Sequence, residues 1–80
     1  MSINHITARV DGSSLGNPGP AGIGVLIEAD GHILKRISKP LGETTNNAAE
    51  YEALLEGLRE AAALGADRVT ICSDSKLVVN

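Results

Sequence analysis

The sequence is poor in aromatic residues and cysteine. Tyr51 is the single aromatic residue among 80, so an aromatic stacking platform for single-stranded nucleic acid is excluded. A core must instead be built from Ile, Leu, Val and Ala. One cysteine, Cys72, excludes a disulfide framework, and with only two histidines an ordinary structural zinc site is excluded as well. No stretch approaches the roughly 18 consecutive apolar residues that a membrane span needs.

Positive charge is also scarce. Seven Lys and Arg stand against ten Asp and Glu, a net charge of −3. This balance argues against a basic protein that coats nucleic acid and against a polybasic membrane binder. The small size without disulfides and the start of the chain, which does not resemble a signal peptide, predict a cytoplasmic protein. The length allows one small domain.

The hydrophobic pattern predicts an α/β fold with a mixed sheet. Four strands are expected, at residues 3–10, 21–29, 32–38 and 68–73. Asp30-Gly31 is a strong hairpin signal between the second and third strands, which makes them antiparallel. A helix before the fourth strand predicts that this strand runs parallel to another strand of the sheet. The stretches 11–20 and 40–47 are expected to be a turn-forming segment and a loop.

The helix is the most regular element. Thr45, Asn46 or Asn47 is expected to cap its start, and Gly65 to end it. At 100° per residue the apolar stripe comprises Tyr51, Leu54, Leu55, Leu58, Ala61 and Ala62. The opposite, solvent-facing side comprises Glu52, Glu56, Arg59 and Glu60.

The last residues predict the start of a second helix. Asp74-Ser75 has the character of a helix N-cap, and the apolar residues 77–79 would begin its buried face. Residues 1–80 are therefore expected to be the N-terminal portion of a single domain. The fourth strand would then be an open sheet edge, so the chain is expected either to self-associate or to depend on residues beyond Asn80.

Three carboxylates occupy positions that favour a shared site. Asp11 and Asp74 follow the first and fourth strands, and ligands bind at the carboxyl ends of parallel strands. Glu50 lies in the first helical turn, at the border of the apolar stripe. Converging carboxylates favour a bound divalent cation, and oxygen ligands suit Mg²⁺ or Mn²⁺.

Each of these residues also has a purely structural interpretation. Asp11-Gly12 can be a turn, Asp74 can cap a helix, and Glu50 can form a capping box with Asn47. Asn17 and the Asn46-Asn47 pair can hydrogen-bond a ligand, or they can serve turns and caps.

Three segments carry a resemblance to a known family. They are Asp11-Gly-Ser-Ser-Leu-Gly-Asn-Pro-Gly-Pro, Thr44-Thr-Asn-Asn-Ala-Ala-Glu50-Tyr-Glu-Ala-Leu and Ser73-Asp74-Ser75. In this order and spacing they resemble the signature segments of type 1 ribonuclease H, in its short bacterial and archaeal branch. The resemblance implies a ribonuclease H-like mixed sheet, with three antiparallel strands followed by a helix and a parallel strand. It also implies an endonuclease that cleaves the RNA strand of RNA/DNA hybrids by two-metal-ion catalysis.

The resemblance also implies roles for particular residues. Asp11, Glu50 and Asp74 would be three of the family's four acidic residues, which are both catalytic and ligands of two Mg²⁺ ions, with Mn²⁺ as a possible substitute. The RNA/DNA hybrid would be the partner, with no membrane involved. Residues implied to contact the hybrid are Gly12, Ser13, Asn17, Thr45, Asn46, Asn47 and Ser75. Of these, Asn17, Asn46 and Asn47 match family positions that contact the RNA strand in the minor groove. Thr45 matches a position that contacts a phosphate of the DNA strand.

Two other hypotheses stay open at this point. One is a non-catalytic ribonuclease H-like module that binds nucleic acid, and the other is an inactive fragment. Cleavage of a hybrid by the chain, lost on Asp74→Asn, would separate the enzyme from both.

Overall fold

The computed structural model describes residues 4–73 and 77–79, which form one five-stranded sheet and one helix. The elements in chain order are β1 (His5–Ser14), β2 (Gly19–Ala29), β3 (His32–Thr44), α1 (Asn46–Ala63), β4 (Arg68–Cys72) and β5 (Leu77–Val79). The strand order across the sheet is β3-β2-β1-β4-β5. Strands β1 to β3 are antiparallel and β4 is parallel to β1, so the predicted fold class is confirmed.

The hairpin between β2 and β3 follows the sequence prediction. Asp30 and Gly31 have φ values of 51° and 77°, and Ala29 pairs with His32 across the turn. Positive φ at both central residues is the backbone of a type I′ turn, whose twist matches that of the strands. Asp and Gly are among the residues that tolerate this conformation best, and this is why the dipeptide identifies the turn.

Two strands extend past their predicted C-terminal ends. Strand β1 continues through Asp11 to Ser14, inside the stretch predicted to form a turn, and it pairs with β2 over this distance. Strand β3 continues to Thr44, past Pro40, where a loop was expected. Pro40 is tolerated because β3 is an edge strand and the register shifts at Ala21/Gly22, opposite this proline.

Both ends of α1 carry the predicted signals. Thr45 is the N-cap, and its side chain accepts a hydrogen bond from the Ala48 backbone N–H at 3.1 Å. After the last helical turn, Gly65 has a φ of 76°. Its N–H donates to Ala62 O at 3.0 Å, and the Ala66 N–H donates to Ala61 O at 3.4 Å, which is the Schellman pattern. The helix therefore begins and ends for local backbone reasons.

The face that α1 presents to the sheet is made of small residues. Ala49, Ala53, Gly57 and Ala61, spaced four apart, are buried. A Cβ on Gly57 would lie 2.8 Å from Val10 Cγ1. Tyr51, predicted to be in the buried stripe, is 61% exposed, so the predicted stripe is displaced around the helix. The reason is distance: the helix lies so close to β1 that larger side chains fit only at the flanks.

Glu56 is also placed differently from the prediction. It was expected to face solvent, but only 6% of the residue is exposed. Lys39 of β3 donates to its Oε1 at 2.8 Å, and Arg59 Nη1 lies 3.5 Å from the same oxygen. The hydrogen bond from Lys39 lowers the pKa of Glu56 and outweighs the opposing effect of burial. The buried charge is thus compensated by a cation that joins α1 to the sheet.

We expect Glu56→Gln to destabilise the chain at pH 7, because it weakens the contact with Lys39. The expected loss of stability is only about 1 kcal/mol, since Lys39 is half exposed and water screens the ion pair. A carboxylate whose pKa is lowered by folding stabilises the protein above its unfolded pKa, and this contribution is lost as the pH falls through the folded value. The difference between the two proteins should therefore shrink below about pH 4.5, the ordinary pKa of the group. Urea unfolding between pH 7 and 3 measures it. Glu52→Gln, which changes an exposed carboxylate of the same helix, is the control variant.

Strand β5 differs from the predicted helix start. Leu77–Val79 pairs antiparallel with β4, from Cys72↔Leu77 to Thr70↔Val79. The edge of β4 that was expected to be open is therefore occupied by backbone of the same chain. Three consecutive apolar residues are compatible with a short buried strand as well as with a helix, and this is why the predicted helix start was wrong. Self-association stays a prediction. No helix in the described parts of the chain is long and apolar enough to cross a membrane.

Candidate functional site

A close backbone contact joins the end of β1 to the first turn of α1. A Cβ on Gly12 would lie 2.1 Å from Ala49 O and 2.7 Å from Glu50 N. Only glycine fits here, since real Cβ atoms do not approach other atoms so closely. Gly12 directly follows Asp11, so the two predicted acidic positions Asp11 and Glu50 are attached to backbones in contact. Gly12, implied to contact substrate, is itself buried and has this packing role.

Asn46, the first residue of α1, connects several parts of this junction. Its Oδ1 accepts a hydrogen bond from the Ser14 backbone N–H of β1 at 3.1 Å. Its Nδ2 donates to Glu50 Oε1 at 3.4 Å, one helical turn further on. Its backbone N–H donates to Asn17 Oδ1 at 3.0 Å. The strand, the following turn and the helix are therefore tied together at one residue.

The turn between β1 and β2 holds Asn17 beside the helix start. The Leu15 N–H donates to Pro20 O at 2.8 Å, and the Ser14 hydroxyl donates to Gly16 O. Gly19 packs so tightly that a Cβ there would lie 2.7 Å from Leu15 O. The turn is thus compact. Asn17 is exposed, and its side-chain oxygen is already bound to the backbone of α1.

The remaining predicted contact residues divide into exposed side chains and a cap. Ser13 and Asn47 are exposed at the same end of the sheet, beside Gly12 and Asn46. Thr45 is exposed and caps α1 through its side-chain oxygen, which leaves its hydroxyl proton able to donate to another group. Asp74 and Ser75 lie outside the described residues.

The structure decides between two interpretations of Glu50. A capping box would require a residue three positions after the cap, but the cap is Thr45 and its partner is Ala48. Glu50 is therefore not part of a capping box. It is exposed, and it takes part in no ion pair within the described residues. Its described side-chain hydrogen bond comes from Asn46.

The donor set suits a divalent cation as far as the structure describes it. The predicted ligands Asp11 and Glu50 would supply carboxylate oxygens, which Mg²⁺ and Mn²⁺ prefer. Residues 4–73 and 77–79 contain no cluster of three or more His, Cys, Asp or Glu that could hold a metal ion. The third predicted carboxylate, Asp74, belongs to the part of the chain that is not described. The premise that brought it to the same site, parallel pairing of β1 with β4, is confirmed.

An open groove of about 550 Å³ was not foreseen from the sequence. It lies on the sheet face that α1 leaves uncovered, and Asp11 and Ser73 line one part of it. Arg9, Arg36 and Cys72 line it further along. Alternation along β1 and β4 predicts which side chains share that face, and Arg36 lies within the predicted third strand, but the alternation does not show that the face forms a groove.

Known proteins are similar to this chain in sequence and fold. Residues 4–80 match the RNase H family. Ribonuclease HI of Halobacterium salinarum is 46% identical over 75 residues, which cover 92% of this chain and 38% of that protein. The crystal structure of RNase H1 from the same archaeon superposes with a TM-score of 0.86 at 40% identity, covering 91% of this chain and 56% of that one.

A second solved relative was crystallised with a nucleic acid. LC11-RNase H1 in complex with an RNA/DNA hybrid is 43% identical, with a TM-score of 0.80 and coverage of 89% of this chain and 55% of that one. This chain spans between 21% and 49% of the length of the curated relatives that it matches. The match extends from Asn4 to the last residue and includes the strand, turn and helix that build the site. On this evidence the chain belongs to the RNase H family.

Proposed function

We propose that the chain carries the front part of an endonuclease site that hydrolyses the RNA strand of RNA/DNA hybrids. The observation that carries the proposal is the contact of Gly12 with Ala49 and Glu50. It fixes the Asp11 and Glu50 positions of two distant segments at one end of the sheet. A structural role alone does not require acidic residues on both sides of this contact, whereas phosphodiester hydrolysis by metal ions does.

The surroundings of the site suit a ribose-bearing strand. Asn17 and Asn47 are exposed beside the acidic positions, and Asn17 uses its oxygen internally, so its amide N–H groups are the part available to a ligand. Amide donors can bind 2′-hydroxyl groups and base edges in a minor groove. A relative with the same fold was crystallised with an RNA/DNA hybrid, which supports this class of substrate.

The chemistry requires cations held by Asp11, Glu50 and Asp74. Bound Mg²⁺ would activate a water molecule and stabilise the charge that develops on the scissile phosphate and the leaving oxygen. The chain's own contribution is to hold carboxylates on two rigid elements and to present amide donors beside them. Rigid placement matters because catalytic groups must stay within a fraction of an ångström of their working positions.

Cleavage of a labelled hybrid in Mg²⁺ tests the proposal. We expect the 80-residue chain to cut the RNA strand, and Asp74→Asn to lower the rate by about a hundredfold or more, because a lost metal ligand removes several kcal/mol of transition-state stabilisation. Duplex DNA of the same sequence should resist, since it lacks the 2′-hydroxyl.

The same experiment discriminates among the three hypotheses. Equal rates on hybrid and duplex DNA would contradict the proposed specificity. Hybrid binding in a filter or fluorescence assay without any cleavage would favour the non-catalytic module. Absence of both binding and cleavage would favour the inactive fragment.

A further inference from the structure

Both the oxygen and the nitrogen of the Asn46 side-chain amide are hydrogen-bonded to other parts of the chain. Its oxygen accepts from the Ser14 N–H at 3.1 Å and its nitrogen donates to Glu50 Oε1 at 3.4 Å. Asn46 is half-buried, whereas Asn17 and Asn47 are exposed. Each of these contacts uses one lone pair of the oxygen and one N–H of the nitrogen, so two protein groups fix the orientation of the amide. The three asparagines at this site are therefore not equivalent.

We propose that Asn46 is a positioning residue for Glu50. The inference rests on the proposed function, which gives Glu50 its role as a metal-binding carboxylate. Asn46 is anchored by Ser14, three residues after Asp11 on the same strand. Its amide then sets the orientation of the Glu50 carboxylate relative to that strand.

The physical reason is the freedom of an exposed glutamate. Glu50 is exposed and takes part in no ion pair within the described residues, so its side chain has several rotamers available. A hydrogen bond from an amide that is itself anchored selects among these rotamers before any cation arrives. Groups that orient metal ligands typically change metal affinity or activity by about tenfold to a hundredfold when they are removed.

The anchoring also relates the two halves of the site. The Gly12 contact brings the backbones of β1 and α1 together, but it does not orient a side chain. Asn46 adds that function, because it binds backbone on β1 and a carboxylate on α1. The backbone N–H of Asn46 also donates to the Asn17 side chain, so the turn between β1 and β2 is positioned relative to the same residue.

Asn46→Ala and its neighbour Asn47→Ala provide a matched pair for the test. Calorimetry with Mn²⁺ and no nucleic acid is the first measurement, and steady-state cleavage of a hybrid is the second. We expect Asn46→Ala to weaken Mn²⁺ binding by about tenfold and to lower kcat by a similar factor. Asn47→Ala should raise KM by about twofold to tenfold, the effect of one lost hydrogen bond, and should leave Mn²⁺ affinity unchanged.

Asn46→Asp separates the two bonds of the side chain. It keeps the oxygen that accepts from Ser14, so hydrogen exchange of the Ser14 amide should be as slow as in the wild type. It replaces the donor to Glu50 by a second carboxylate, and we expect kcat to stay low. Recovery of the wild-type kcat in this variant would overturn the inference.

The outcomes also separate this inference from the proposed function. A wild-type chain that binds Mn²⁺ and cleaves the hybrid, with Asn46→Ala raising only KM, leaves the function standing and overturns the positioning role. A wild-type chain that neither binds Mn²⁺ nor cleaves overturns the proposed function, and the positioning role with it.

Discussion

Gly12→Ala is expected to destabilise the chain by about 3 kcal/mol, the upper end of the usual cost of overpacking, and to abolish hybrid cleavage. The added methyl group would lie 2.1 Å from Ala49 O and 2.7 Å from Glu50 N, both of which are backbone atoms. Backbone cannot turn aside as a flexible side chain can, so α1 must move away from β1. This movement separates the acidic positions on the two elements. Urea unfolding and the cleavage assay measure the two effects.

Gly24→Ala is the matched control for this substitution. Gly24 lies in β2, and the nearest heavy atom to its added Cβ is Ile37 O at 4.0 Å, an ordinary contact. We expect this variant to keep its stability within about 1 kcal/mol of the wild type. Equal stability of the Gly12 and Gly24 variants would show that the helix is not held at the distance described.

Glu50→Gln is expected to lower hybrid cleavage by at least about a hundredfold while leaving metal-free stability within about 0.5 kcal/mol of the wild type. Glutamine has nearly the same shape and keeps an oxygen that can accept from Asn46. The substitution therefore removes a charge and little else. In the wild type, Mg²⁺ at a hundredfold excess over its dissociation constant should stabilise the fold by about 2.7 kcal/mol. Most of this stabilisation should be absent in the variant.

Glu52→Gln controls for the loss of a negative charge from α1. Glu52 is an exposed carboxylate two residues further along the same helix. Thermal unfolding with and without Mg²⁺ should give the wild-type result for this variant. A thermal midpoint of the wild type that is indifferent to millimolar Mg²⁺ and Mn²⁺ would contradict a formed metal site.

The sequence predicts well those features of the fold that depend on local backbone conformation. Asp30-Gly31, Thr45 and Gly65 each satisfy a requirement of a few neighbouring residues: positive φ in a tight turn, a side-chain oxygen at a helix start, and a left-handed residue after a helix end. Such requirements do not depend on distant parts of the chain. Their positions could therefore be predicted without knowledge of the tertiary structure, although the helix cap was narrowed only to Thr45, Asn46 or Asn47.

The orientation of α1 could not be predicted in the same way. Hydrophobic periodicity favours a stripe of large residues that includes Tyr51, whereas the sheet accepts Ala49, Ala53, Gly57 and Ala61. Size, and not hydrophobicity, decides the contact, because the helix lies close to β1. The burial of Glu56 is equally non-local, since it depends on Lys39 of another element.

The candidate site shows the same division. Parallel pairing of β1 with β4, and the presence of Asp11 and Glu50 near strand and helix ends, follow from pattern and topology. The contacts of Asn46 do not, because Ser14 lies 32 residues away along the chain and is reached through its backbone. A prediction from residue type could only group Asn46 with the other asparagines.

The stripe of small residues on α1 couples the length of the helix to the direction of its acidic side chain. Each residue turns the helix by about 100°, so an inserted or deleted residue between Glu50 and Ala53 would rotate Glu50 by that angle relative to the packed face. The helix could keep either the packing of its small residues against the sheet or the direction of the Glu50 side chain, but not both. Substitutions between these positions are tolerable, whereas changes of length are not. In this segment, evolution and engineering alike are restricted to exchanging side chains at constant spacing.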